Sequence, residues 1–106
     1  MTDKIVVFST CSSAEEAETL ARRLLDQHLA ACVNVVPGVR SFYWWQGKIE
    51  DSAEFLLVIK SSRAHFPKLG EALSAAHSYQ VPEIVALQIV DGSPAYLDWL
   101  DRELAT

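Results

Sequence analysis

Residues Lys4 to Thr10, KIVVFST, hold a compact β-branched and aromatic run, after which hydrophobic positions switch to three-and-four spacing at Ala14, Ala17, Leu20, Ala21, Leu24 and Leu25. The first pattern predicts a strand buried on both faces; the second predicts an amphipathic helix reaching about His28. Ser13 and Glu16 form a capping box at its start, and Glu18 and Arg22 pair at i,i+4 on its polar side. Cys32 to Trp45, CVNVVPGVRSFYWW, has strong β propensity interrupted by Pro37 and Gly38. Proline cannot donate to a ladder, so this second strand is expected to bulge or bend there and to lie on an edge. Gln46 to Lys48 reads as a hairpin turn into a third strand, IEDSAEFLLVIK, ending near Lys60. Phe66, Leu69, Leu73 and Ala76 return to helical spacing, with Pro67 fit only for a first turn, so a second helix is predicted over about 64–77. Ile84 to Val90 predicts a final internal strand, and Ser93-Pro94 opens a short tail helix through Leu100.

The order β-α-β-β-α-β with a terminal helix is an α+β, ferredoxin-like sandwich, and residues 1–106 make one domain. Right-handed crossovers leave strand two on an edge, where Phe42, Tyr43, Trp44 and Trp45 point alternately to opposite faces. One face of a single domain cannot bury all four. A long apolar edge is an aggregation hazard unless something pairs with it or covers it, which points to a homo-oligomer.

Nine basic against fourteen acidic residues give a net charge of −5, which disfavours nucleic acid and anionic membrane surfaces as partners. No apolar run approaches the ~20 residues of a membrane span, and no charged start feeds a hydrophobic stretch, so a soluble, unprocessed, cytoplasmic chain is expected. The four glycines lie too far apart for a phosphate-binding loop, and no G-x-S-x-G elbow is present. No enzyme motif emerges.

What remains is metal-ligand chemistry. Thiols and imidazoles suit copper and zinc, and the candidates are Cys11, Cys32, His28, His65, His77 and Glu83. His77 closes the second helix, where a donor or cation complements the carboxyl end. Cys32, beside alanines at a strand start, reads more readily as a small core residue than as a ligand. Cys11 lies between strand one and the capping box, where a helix dipole lowers a thiol pKa, so it is the more reactive-looking thiol. His28 and His65 are expected to face solvent.

Several segments resemble the CutA family, the divalent-cation-tolerance proteins, over nearly the whole chain. The A-A-C-x-N pattern is Ala30, Ala31, Cys32 and Asn34; S-x-Y-x-W-x-G-K is Ser41, Tyr43, Trp45, Gly47 and Lys48; H-x-Y-x-x-P-E is His77, Tyr79, Pro82 and Glu83. The family's I-K-T is represented by Ile59, Lys60 and Ser61. The chain departs from some members at Ser9 and Ala76, where they carry cysteine and histidine. The resemblance implies a ferredoxin-like, PII-like homotrimer of interlocking long hairpins with clefts between subunits. It implies no reaction. The leading expectation is a non-enzymatic trimer binding copper or another divalent metal through His77, with Cys32 or Cys11 and with Glu83. The alternatives are a PII-like trimer holding a small anionic ligand in a cleft of Lys60, Tyr43, Trp45 and Tyr79, and an assembly platform for protein partners.

Overall fold

A computed structural model describes residues 2–105. In chain order the elements are β1 (Lys4–Cys11), α1 (Ala14–Asp26), β2 (Cys32–Trp45), β3 (Lys48–Ser62), α2 (Phe66–Ala76), β4 (Val85–Gln88) and α3 (Pro94–Leu104), with a 3-10 turn over Arg63–His65 before α2. The strands form one antiparallel sheet in the order β2-β3-β1-β4. This is the expected ferredoxin-like α+β arrangement. One expectation fails: the last strand is not internal but a short edge, paired with β1 alone. No helix of the described residues is long and apolar enough to cross a membrane.

Local chemistry sets the ends of these elements. Ser13 Oγ accepts from the Glu16 N–H at 3.1 Å and starts α1. The helix stops at Asp26 because His28 takes a left-handed φ of 54°, which no α-helix can continue. The β2–β3 hairpin closes through Gln46 and Gly47, both at positive φ, the pattern of a type I′ turn.

The core lies on the helix side of the sheet. Ile5, Val7 and Cys11 of β1 and Leu57 and Ile59 of β3 pack beneath Leu20 and Leu24 of α1 and Leu69 and Leu73 of α2. Burying each large aliphatic side chain is worth about 1.5–3 kcal/mol, so this row fixes which face of the sheet turns inward. Ser9 sits in the same row, fully buried, with its Oγ making no hydrogen bond.

Cys11 corrects an expectation. It is not in a cap loop but ends β1, on the core side, fully buried, with Sγ donating to the Ser13 carbonyl at 3.6 Å. Burial pushes its thiol pKa up, and the nearby Glu16 and Glu54 charges add to that. Strand alternation simply runs one residue further than KIVVFST suggested.

The opposite face is less covered. Val6, Phe8, Val58 and Leu56 are only partly buried there, and Val36, Val85 and Leu87 are exposed. The anticipated bulge at Pro37-Gly38 is present: Val36 pairs with Leu56, but Val39 pairs with Glu54, one residue out of step. It reverses the facing of every later β2 residue. Ser41, Tyr43 and Trp45 therefore join Glu54 on the open face, while Phe42 and Trp44 go to the other side. Beyond the Cys11–Phe55 pair, β2 and β3 continue as a two-stranded arm with no third strand among the described residues, stretching them to 44 × 25 × 23 Å.

α3 is tied back by polar contacts. The buried Lys4 ammonium bridges Asp3 and Asp101 at 2.5 and 2.6 Å. His28 Nδ1 donates to the Glu103 carbonyl at 2.8 Å, and His65 Nε2 to that of Leu104 at 3.1 Å. These two histidines, expected in solvent, satisfy helix carbonyls that have no intrahelical partner.

Candidate functional site

The segment from His77 to Glu83 runs from the end of α2 toward β4. His77 caps α2 with its backbone extended, and its N–H still reaches the Leu73 carbonyl. The side chain is fully buried. Nδ1 accepts from the Tyr79 backbone N–H at 3.1 Å, and a backbone N–H can only donate. Nε2 stands 2.8 Å from the Thr10 carbonyl, which can only accept. His77 is thus the neutral Nε2–H tautomer with both ring nitrogens engaged. Beside it, Glu16 accepts from the Ser78 N–H at 2.8 Å and the Ser78 hydroxyl at 2.9 Å, while also taking the Ser12 N–H. The capping glutamate of α1 therefore also anchors this distant loop. Burial raises the Glu16 carboxyl pKa, but the Ser78 and Ser12 donors outweigh it and hold the group below its ordinary 4.5.

Tyr79 stacks at a tilt on His77, ring centroids 4.8 Å apart, and its hydroxyl donates to Glu54 Oε2 at 2.5 Å. Burial, and donation to a carboxylate, push the Tyr79 phenol far above its usual range. Between this loop and the hairpin arm lies a cleft of about 730 Å³. Tyr43, Trp45, Glu54, Tyr79 and Glu83 line it, with Thr10 and Ser41 among the polar walls. Tyr43 is itself steadied by a 2.9 Å hydrogen bond to Ser52.

Three of the four residues expected in a ligand cleft are thus together: Tyr43, Trp45 and Tyr79. Lys60 is elsewhere. It pairs with Cys32 and Val6 and bonds Asn34 Oδ1, six residues and roughly 20 Å along β3 from Glu54. The expected metal residues do not cluster in one chain. Cys11 is in the core, Cys32 is half-buried on the β2 edge beside Asn34, Glu83 is exposed at the cleft, and His77 has no free nitrogen. Among the described residues no three of His, Cys, Asp or Glu converge to hold a metal ion. Glu16, Ser78 and Glu54 were missed by sequence reading. Glu16 was visible only as a cap, and Glu54 only as one charge in a strand.

The model of the CutA1 divalent ion tolerance protein family matches residues 5–103. The chain belongs to this family. It is 52% identical over 95 residues to the divalent-cation tolerance protein CutA of Thermus thermophilus, covering 90% of this chain and 92% of that one. The crystal structure of CutA from Xylella fastidiosa superimposes with a TM-score of 0.94 at 42% identity, covering 97% of this chain and 99% of the other. A CutA from Archaeoglobus fulgidus, described as a periplasmic divalent cation tolerance protein, gives 0.93 at 42% identity over 95% and 98%.

In this CutA1 member, His77→Ala strands the Tyr79 N–H and the Thr10 carbonyl. It should cost about 2 kcal/mol or more, as unsatisfied buried groups do, against about 0.3–1 kcal/mol for a mere helix-end charge. Urea unfolding at fixed protein concentration distinguishes the two. The Glu16 carboxyl gives a pH signature. Its folded pKa is depressed, so its contribution is present above the unfolded value near 4.5 and is lost as pH falls through the lower folded value. Stability curves of wild type and Glu16→Gln should therefore differ at pH 7, begin to close as pH falls below the unfolded 4.5 and meet only below the depressed folded value; a constant gap would remove the carboxylate from this role.

Proposed function

We propose that the protein serves divalent-cation tolerance as a non-enzymatic homotrimer, and that copper or another divalent ion is contacted between subunits rather than inside one chain. The observation that carries this is the unsupported hairpin arm. Two-stranded ribbons are marginal in water, yet this one exposes Phe42 at 62%, Trp44 at 73% and Ile49 at 64%. The half-covered open sheet face adds to the apolar surface that a second and third copy would bury.

The non-enzymatic reading is supported by the state of the reactive groups. His77 cannot act as a base without breaking the loop, and the Cys11 thiol is buried with its pKa raised. Cys32 on the β2 edge and Glu83 at the cleft are the candidates still open to a metal reaching across subunits. An anionic ligand fits less well, because the cleft presents two carboxylates and Lys60 stands apart from it.

Light scattering at micromolar concentration should give three times the chain mass, and a monomer would contradict the assembly. Ile49→Glu, placing a charge on the exposed arm, should dissociate it and abolish calorimetric copper binding. A dissociated variant with the wild-type isotherm would refute metal contact between subunits.

A further inference from the structure

Of the three histidines, His77 alone has both ring nitrogens committed to backbone groups that cannot change role. The Tyr79 N–H only donates, to Nδ1 at 3.1 Å, and the Thr10 carbonyl only accepts, from Nε2 at 2.8 Å. A neutral imidazole has one acceptor and one donor and satisfies both; an imidazolium has two donors and no acceptor. His28 and His65 donate to helix carbonyls and keep those bonds when charged. A proton on His77 Nδ1 instead sets N–H against N–H in a fully buried site. One acceptor stands within reach. Glu16 Oε2 lies 3.6 Å from Nδ1, too far for a hydrogen bond to the neutral ring, and takes the Ser78 N–H at 2.8 Å. A carboxylate oxygen has room for a second donor.

We infer that His77 is a proton-operated latch on the loop after α2: a proton taken up at Nδ1 expels the Tyr79 N–H, turns that nitrogen to Glu16 Oε2 and releases Tyr79 from its place. Burying an unpaired imidazolium is costly, so without an acceptor the ring would stay neutral until the chain unfolded. Glu16 gives the charged ring a partner and makes the released loop a folded alternative. Histidine ordinarily changes charge between about pH 5 and 8. Glu16 stays ionised over that range: burial pushes its carboxyl up, but the Ser78 and Ser12 donors hold it below the ordinary 4.5. The other ionisable groups around the ring are Tyr79 in the loop itself, the Cys11 thiol at the end of β1 and, behind Tyr79, Glu54 of β3. No lysine or arginine of the described residues pairs with any of these groups. Tyr79 carries the effect outward, because its hydroxyl ties the loop to Glu54 at the base of the hairpin arm. The latch is built within one chain, so it rests neither on assembly nor on metal binding.

Two-bond proton–nitrogen correlation spectra of the full chain, recorded from about pH 8 to about pH 5, read the protonation of each ring nitrogen. At the upper end His77 should carry its proton on Nε2 and none on Nδ1. On acidification Nδ1 should gain a proton, and the Tyr79 amide should shift and exchange faster with the same midpoint, while the β1–β3 core amides stay unchanged. Glu16→Gln removes the waiting charge and should lower that midpoint by about one pH unit or more, a tenfold harder protonation. Ser78→Ala loses a loop bond to Glu16 but keeps the charge, and should leave the midpoint where it is. His77→Gln keeps an amide donor and acceptor without titrating, and should hold the Tyr79 amide steady across the range. A Tyr79 amide that stays fixed while Nδ1 takes its proton would overturn the inference. So would an Nδ1 that stays bare until the chain unfolds, a midpoint unchanged in Glu16→Gln, or one lowered as far by Ser78→Ala.

Discussion

The Thr10 carbonyl, lying just past the point where β4 stops pairing with β1, is where the fold and the site meet. β4 reaches only to the Phe8–Val85 pair, so the end of β1 has no strand neighbour on that side. A buried backbone carbonyl needs a donor, and His77 Nε2 supplies it. That bond fixes the imidazole tautomer, which fixes Nδ1 as the acceptor for the Tyr79 N–H and turns the loop back toward the hairpin. Tyr79 then lands on Glu54. A short strand thus determines, through one histidine, where the phenol and carboxylate of the cleft stand. Glu16 holds the same loop from the other side, so the α1 cap, the α2 C-terminus and the end of β1 form one polar cluster around it.

The second constraint is the bulge. Without the extra residue between Val36 and Val39, strand alternation would send Tyr43 and Trp45 to the side opposite Glu54. With it, the β2 positions beyond the bulge change faces. The arm then has two distinct surfaces. One carries Tyr43, Trp45 and Ser41 toward the loop; the other carries Arg40, bridging Asp51 and lying 4.9 Å over the Phe42 ring, with Trp44 beyond. Proline and glycine at 37–38 therefore shape the cleft through strand geometry alone.

The architecture was legible because each element advertised itself locally. The KIVVFST run, the Ser13 cap, the three-and-four spacing of α1 and the Gln46-Gly47 turn all report on residues close in sequence, and all appear where expected. Even the bulge was readable, since proline cannot donate to a ladder. What escaped was long-range polar pairing. Nothing local shows that Glu16 bonds Ser78, 62 positions away, or that His65 bonds the Leu104 carbonyl. Residue type misled for Cys11, whose side is set by strand parity, and for Lys60, which shares the open face with Tyr43 but sits near its far end. The H-x-Y-x-x-P-E motif marked a segment that lines the cleft, and its histidine spends both ring nitrogens on backbone.

The start of the loop, residues 77–79, belongs to the stable core rather than to the mobile surface, because His77 is clamped between Thr10 and Tyr79. Native-state hydrogen exchange of the Ser78 and Tyr79 amides tests it most directly. If the clamp holds, both should exchange only through openings nearly as costly as those of the β1–β3 core amides, and in His77→Ala they should exchange as exposed loop amides do. Fast exchange of both in the wild-type protein would show that His77 does not clamp the loop.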